Sequence, residues 1–185
     1  MRRIEIDVCQ YDDLEPEAQA VAREWYQRCG GTEYTWGAEA LATLHRFAEV
    51  VGIHVRNYSL GGSDNRRQGV KYDLRERGAW QDLEGVRLWR YLQNNDWLLG
   101  FDQVTKDCNL TGYCLDYSIC KPLRDFIDRP TVGATWSEIV RDCIEEFCAA
   151  YAQDVDDCSS EESIVDSIRA NEYEFLPNGE KYNER

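Results

Sequence analysis

Ala40-Leu41-Ala42-Thr43-Leu44-His45-Arg46-Phe47-Ala48-Glu49-Val50-Val51-Gly52-Ile53-His54-Val55 carries the change of period that decides the fold. Ala40, Leu41, Leu44, Phe47, Ala48 and Val51 recur at three- and four-residue steps, which predicts a helix over 37–51 with one buried face. Gly52 stops it, because glycine takes the left-handed conformation that closes a helix. Beyond it Ile53, Val55 and Tyr58 take up strand spacing. Gly61-Gly62-Ser63-Asp64-Asn65 breaks the run, and Val70, Tyr72 and Leu74 return. The expectation is a helix feeding a β-hairpin with a long, mobile tip.

Working outward, Ile4, Ile6 and Val8 alternate with polar residues and predict a half-buried strand over 3–8. Pro16 fits the first turn of a helix, where its missing N–H costs nothing. Leu14, Ala18, Val21, Ala22 and Trp25 mark its apolar side, and Gly30-Gly31 its end. Further along, helices are expected over about 82–93, from Asp116 to Phe126, from Thr135 or Ser137 onward, and from Ser160 to near Asn171. Residues 100–114 look irregular. Tyr173 and Phe175 ahead of Pro177-Asn178-Gly179 suggest a terminal hairpin. The sum is an α+β fold. A small antiparallel sheet joins N- and C-terminal strands with the central hairpin, and helices pack on it. No linker or repeat divides 1–185, so one domain is expected, with an acidic helical region at 137–171.

The chain has 185 residues, 21 Lys plus Arg, 35 Asp plus Glu and a net charge of -14. A fold of this size buries roughly 70% of its unfolded surface and needs no staples. No apolar run approaches the ~20 residues of a membrane span, and Met1-Arg2-Arg3 opens no signal-peptide segment. A soluble cytoplasmic protein is the expectation. So negative a chain repels phosphate backbones and anionic lipid unless a local patch overrides it, so neither direct nucleic-acid binding nor a membrane is expected. Cys9, Cys29, Cys108, Cys114, Cys120, Cys143, Cys148 and Cys158 form no Cys-x-x-Cys knuckle. They read as reduced, mostly buried thiols, and no metal or cofactor is expected.

Charge is concentrated. Residues 137–185 hold 14 acidic and 4 basic side chains, a net of -10, against -4 for all the rest. Glu138, Asp142, Glu145 and Glu146 take the polar side of the long helix, and Asp154, Asp156, Asp157, Glu161, Glu162 and Asp166 crowd the junction after it. Like charges at helical spacing destabilise a helix slightly, so helix stability does not ask for them. They solubilise, or they present carboxylates where a partner expects phosphates. The opposite patch is Arg66, Arg67, Lys71, Arg75 and Arg77, with Trp80 close by. Such interleaving either holds a partner or nucleotide by charge and stacking, or pairs internally around a core tryptophan.

Catalytic signatures are absent from the sequence. There is no Gly-x-Ser-x-Gly elbow, phosphate loop, dinucleotide fingerprint or His-Glu-x-x-His. His45 and His54, the only histidines, read as structural residues. A non-enzymatic protein is expected.

Tyr11-Asp12-Asp13-Leu14, the helix that follows and its closing Trp25-Tyr26 pair resemble the opening of a family of small phage and prophage proteins. The ending Asn171-Glu172-Tyr173-Glu174-Phe175, then Gly179, is similar to that family's close, as are Gly112-Tyr113-Cys114 and the Glu161-Glu162 step. Pro16 departs from the family's serine-started cap, and the basic loop at 61–77 has no counterpart. The family is loosely labelled antitoxin-like. The resemblance implies a phage accessory protein in the cytoplasm of a host bacterium, of the kind that inhibits host defence, including anti-CRISPR and anti-restriction proteins. Its partner would be a host protein or ribonucleoprotein defence complex, met by an acidic, nucleic-acid-like surface. An antitoxin that neutralises a toxin or nuclease, a nucleotide sponge, and a homodimer all stay open.

Overall fold

The computed structural model describes residues 6–95 and 110–183. In chain order its elements are β1 (Cys9–Gln10), α1 (Pro16–Arg28), α2 (Gly37–Val51), β2 (Ile53–Ser59), β3 (Gly69–Leu74), α3 (Gly85–Asn94), α4 (Leu115–Asp128), α5 (Trp136–Cys158), α6 (Glu161–Ala170) and β4 (Glu174–Phe175). The class is α+β. The chain groups into two compact units, residues 1–34 with 155–185, and residues 35–154. Length and the want of a linker suggest one domain, but one boundary falls inside the continuous helix α5, where composition gives no sign of it.

In the first unit β1 pairs antiparallel with β4, Cys9 opposite Phe175, so the two ends of the sequence do meet in a sheet. The pairing is only two residues long. Ile6 and Val8, expected inward, are therefore 53% and 38% exposed, because no partner strand extends that far. Ile4 lies outside the described residues. The core here is Tyr11, Leu14, Ala18, Ala22, Ile164, Ile168 and Phe175. Trp25 packs edge-on against Tyr173 and Phe175, with ring centroids at 5.2 and 5.8 Å. The side chains that carry the resemblance at the two ends thus share one cluster. Gly179 (φ 85°) closes the last turn where a Cβ would sit 2.1 Å from the Ala18 carbonyl oxygen.

The second unit packs α2, α3, α4 and most of α5 around Leu44, Phe47, Leu88, Ile119, Leu123, Trp136 and Phe147. The hairpin is a sheet of its own, β2 with β3, Ile53 opposite Leu74 and an irregularity between Val55 and Asn57. The sequence points to one sheet, whereas the described residues form two small ones. Gly52 (φ 78°) ends α2 in the left-handed conformation expected of it. The hairpin tip differs from expectation. Asn65 Oδ1 accepts from the Arg67 N–H, Asn65 Nδ2 reaches Ser59 Oγ, and the Gln68 amide donates to the Cys148 carbonyl. Side-chain bonds that no periodicity reveals thus fix a segment that reads as mobile. Ahead of α4, the buried Asp116 carboxylate accepts from Thr43 Oγ1, Thr111 Oγ1 and the Thr111 and Gly112 N–H groups at 2.7–2.9 Å. That knot ties α2 to the start of α4. Residues 100–109 of the stretch expected to be irregular lie outside the described residues.

Candidate functional site

A capping box starts α5. Thr135 donates its N–H and its hydroxyl to Glu138 Oε2, at 2.9 and 2.8 Å, and Thr135 Oγ1 accepts from the Glu138 N–H at 3.3 Å. The Thr135 backbone bond, then its hydroxyl, hold the Glu138 carboxyl below the ordinary range. Burial of Ile139, Cys143, Ile144 and Phe147 turns the opposite side outward. At 100° per residue, Glu138, Asp142, Glu145 and Glu146 fall in an arc of about 100° over about 12 Å of axis. That is a mean axial spacing of ~4 Å per carboxylate, near the ~3.4 Å per charge of a single DNA strand. Arg141 offsets part of this, pairing with Asp142 at 3.0 Å and Glu145 at 3.7 Å. The face borders an open groove of about 900 Å³ between the end of α4 and the start of α5, where Asp125, Asp128 and Arg129 join Glu138, Arg141 and Asp142. Val132, 91% exposed, also lines it. The sequence reading missed Asp125, Asp128 and Arg129. Their signal was a charged last turn immediately before Pro130.

The other carboxylates stand elsewhere. Asp154 is half-buried in the second unit, whereas Asp156, Asp157, Glu161, Glu162 and Asp166 belong to the first. There the Ser160 hydroxyl caps α6 by accepting from the Ser163 N–H at 3.2 Å. Glu161 and Glu162 occupy the first turn, where the helix dipole favours them. Asp157, Glu162 and Asp166 line a shallow groove of about 580 Å³ with Ser160, Ser163 and Ser167. Glu161 pairs with Arg23 at 3.4 Å and Asp166 with Arg169 at 3.7 Å. The ten residues read from the sequence as one surface therefore divide between the two units, five in each, and only Glu138, Asp142, Glu145 and Glu146 share the outer side of α5.

The basic patch also divides. Arg66 and Arg67 are exposed at the hairpin tip, Lys71 is exposed on β3, and Arg75 is exposed just after it. Arg77 has a structural use instead, donating to the Val50 and Glu49 carbonyls, both at 2.8 Å, and so capping the end of α2. Trp80 is 7% exposed, stacked on Tyr91 at 5.2 Å and edge-on to Trp136, with its N–H on the Arg77 carbonyl. No ring face remains for a base. Arg77 and Trp80 therefore leave the sequence-derived nucleotide patch.

Both histidines are exposed rather than packed. Burial pushes the Cys143 thiol up to about 12 and the Cys148 thiol to about 11, so neither is a thiolate nucleophile at neutral pH. Cys120 is buried as well, but Cys29 and Cys114 are exposed, against the expectation of mostly buried thiols. Cys108 lies outside the described residues. Among the described residues no three His, Cys, Asp or Glu side chains converge as a metal set, and no helix is long and apolar enough to cross a membrane. Comparison with family models, with curated proteins and with solved structures finds no match.

Proposed function

We propose that this protein acts without catalysis, as an inhibitor that lays a carboxylate-bearing helix face on a basic, nucleic-acid-binding protein surface. The target class is a bacterial host's defence complex of the anti-CRISPR or anti-restriction type, with the protein as a phage accessory factor. The observation that carries this reading is the outer side of α5, whose carboxylates are spaced along the axis much as charges are along one DNA strand. Burial keeps the Cys143 and Cys148 thiols protonated at neutral pH, so neither offers a nucleophile, which favours binding over chemistry. Charge of this kind speeds encounter and makes it sensitive to salt, whereas exposed apolar groups such as Val132 supply contact area.

The test is capture from a bacterial lysate at two salt concentrations, using wild type, an Asp142→Asn/Glu145→Gln/Glu146→Gln variant and an Asp157→Asn/Glu162→Gln/Asp166→Asn variant. A nucleic-acid-handling complex that is released by salt, is lost at least tenfold with the first variant, and gives up its own DNA or RNA in exchange supports the reading. A folded first variant that still inhibits fully removes the mimicry. Capture of a single small toxin instead would favour the antitoxin reading.

A further inference from the structure

We propose that the tip of the β2–β3 hairpin is a second interaction surface, one that contacts the phosphate backbone of nucleic acid. Residues 53–77 hold six Lys or Arg and three Asp or Glu, a net of +3 inside a chain of -14. Two of the six have partners, Arg56 on Asp73 and Arg77 on the α2 carbonyls. The remaining four, Arg66, Arg67, Lys71 and Arg75, have no ion pair among the described residues. Other exposed arginines, among them Arg28, Arg87 and Arg90, also lack an ion pair among the described residues, but these four stand together on one hairpin with a net positive charge.

The tip is also built to present them. Asn65 accepts from the Arg67 N–H and Gln68 binds the Cys148 carbonyl, so Arg66 and Arg67 stand between two anchors on an ordered turn. A backbone held in this way already carries Arg66 and Arg67 side by side, so less loop entropy is lost on meeting phosphates than from an unanchored tip.

The shape of the feature selects the occupant. Gly61 to Gln68 contains no large apolar side chain, so it has nothing to insert into a bilayer. Eight residues are far fewer than the roughly 20–30 a stable protein interface uses on each side. A second copy of this chain would bring its own -14. A polyanion needs only a few cations, because each contact releases counterions. The acidic remainder does not prevent it. At about 0.1 M salt the Debye length is roughly 10 Å, which screens remote carboxylates while leaving contacts at the tip intact.

The test is fluorescence anisotropy of a labelled single-stranded oligonucleotide with the full chain at about 0.1 M salt, with no host protein present. This keeps its outcome separate from that of the inhibitor reading. Arg66→Glu/Arg67→Glu should weaken binding at least tenfold and reduce the salt slope by roughly 1.4, about 0.7 per lost phosphate contact. Lys121→Glu/Arg124→Glu, an equal change of charge on α4, should shift it less than about twofold, because only contacted phosphates carry the effect. Vesicles of anionic lipid should not bind. Undetectable oligonucleotide binding by the wild type, equal losses in the two variants, or vesicle binding lost with the same arginines would each overturn the proposal.

Discussion

Asp116 is 3% exposed, the one buried carboxylate among the described residues. All four of its partners donate, so an amide in its place would turn an NH2 group toward N–H donors. Asp116→Asn should lower stability by about 3 kcal/mol, since a buried donor left unsatisfied carries its full desolvation cost. Urea unfolding reads this, and a loss under 1 kcal/mol would mean that water replaces the bonds. Gly52 makes a sharper case. Its φ of 78° disfavours any Cβ, and one built there would lie 2.2 Å from Arg77 Nε. Gly52→Ala should cost about 2 kcal/mol in the wild type but about 1 kcal/mol once Arg77→Ala has removed the clash, a coupling that a double-mutant cycle isolates. The buried thiols give a pH dependence of definite sign. From about pH 9 the unfolded thiols lose their protons, while folded Cys143 and Cys148 keep theirs until about 12 and about 11. Stability is therefore complete below pH 9 and falls above it, by up to roughly 1.4 kcal/mol per pH unit for each thiol. Conversion of both to Ala should flatten that slope in urea melts taken from pH 8 to 11.

At the scale of the element, α2 and its glycine stop coincide with the sequence reading because local signals decide them: a strict helical period and a residue suited to φ > 0. The same holds for α6, where Ser160 and the acidic first turn are a local signature. The first strand was less legible. Alternation at Ile4, Ile6 and Val8 is a real pattern, but a strand exists only where a partner pairs with it, and β4 supplies two residues. The hairpin tip fails in the opposite direction, since its order comes from Asn65 and from Gln68 reaching Cys148, 80 positions away. Glu138 shows how one side chain serves both structure and site. As the reciprocal partner of Thr135 it stabilises the start of α5, and its charge also adds to the acidic face. Thr135→Ala should cost about 1 kcal/mol by removing the cap. Glu138→Gln should leave the urea midpoint nearly unchanged, because glutamine keeps the reciprocal bond, while the acidic face loses a charge. If the glutamine variant unfolds as easily as the alanine variant, charge rather than geometry governs the cap.

For the molecule as a whole, sequence arithmetic locates the excess charge but not its faces. The run from Ser137 onward predicts carboxylates in plenty, whereas the fold places half the candidate residues in each unit and supplies Arg141, Arg23 and Arg169 as partial counterions. A coat that merely solubilises and a surface that docks both carry this charge, but they respond differently to its removal. Self-repulsion among like charges is relieved by salt, so the wild-type urea midpoint should rise between about 0.01 and 0.15 M salt. The Asp142→Asn/Glu145→Gln/Glu146→Gln variant should rise less, having less repulsion to relieve. Binding to a basic partner should move the other way, weakening in wild type as salt increases and starting weak and almost flat in the variant. A docking surface thus predicts opposite signs for stability and affinity along one salt axis, with both responses reduced by the same three substitutions. If those substitutions reduce the stability response and leave every partner interaction and its salt dependence as they were, the acidic side of α5 is a solubilising coat and the contact that defines this protein's action lies elsewhere.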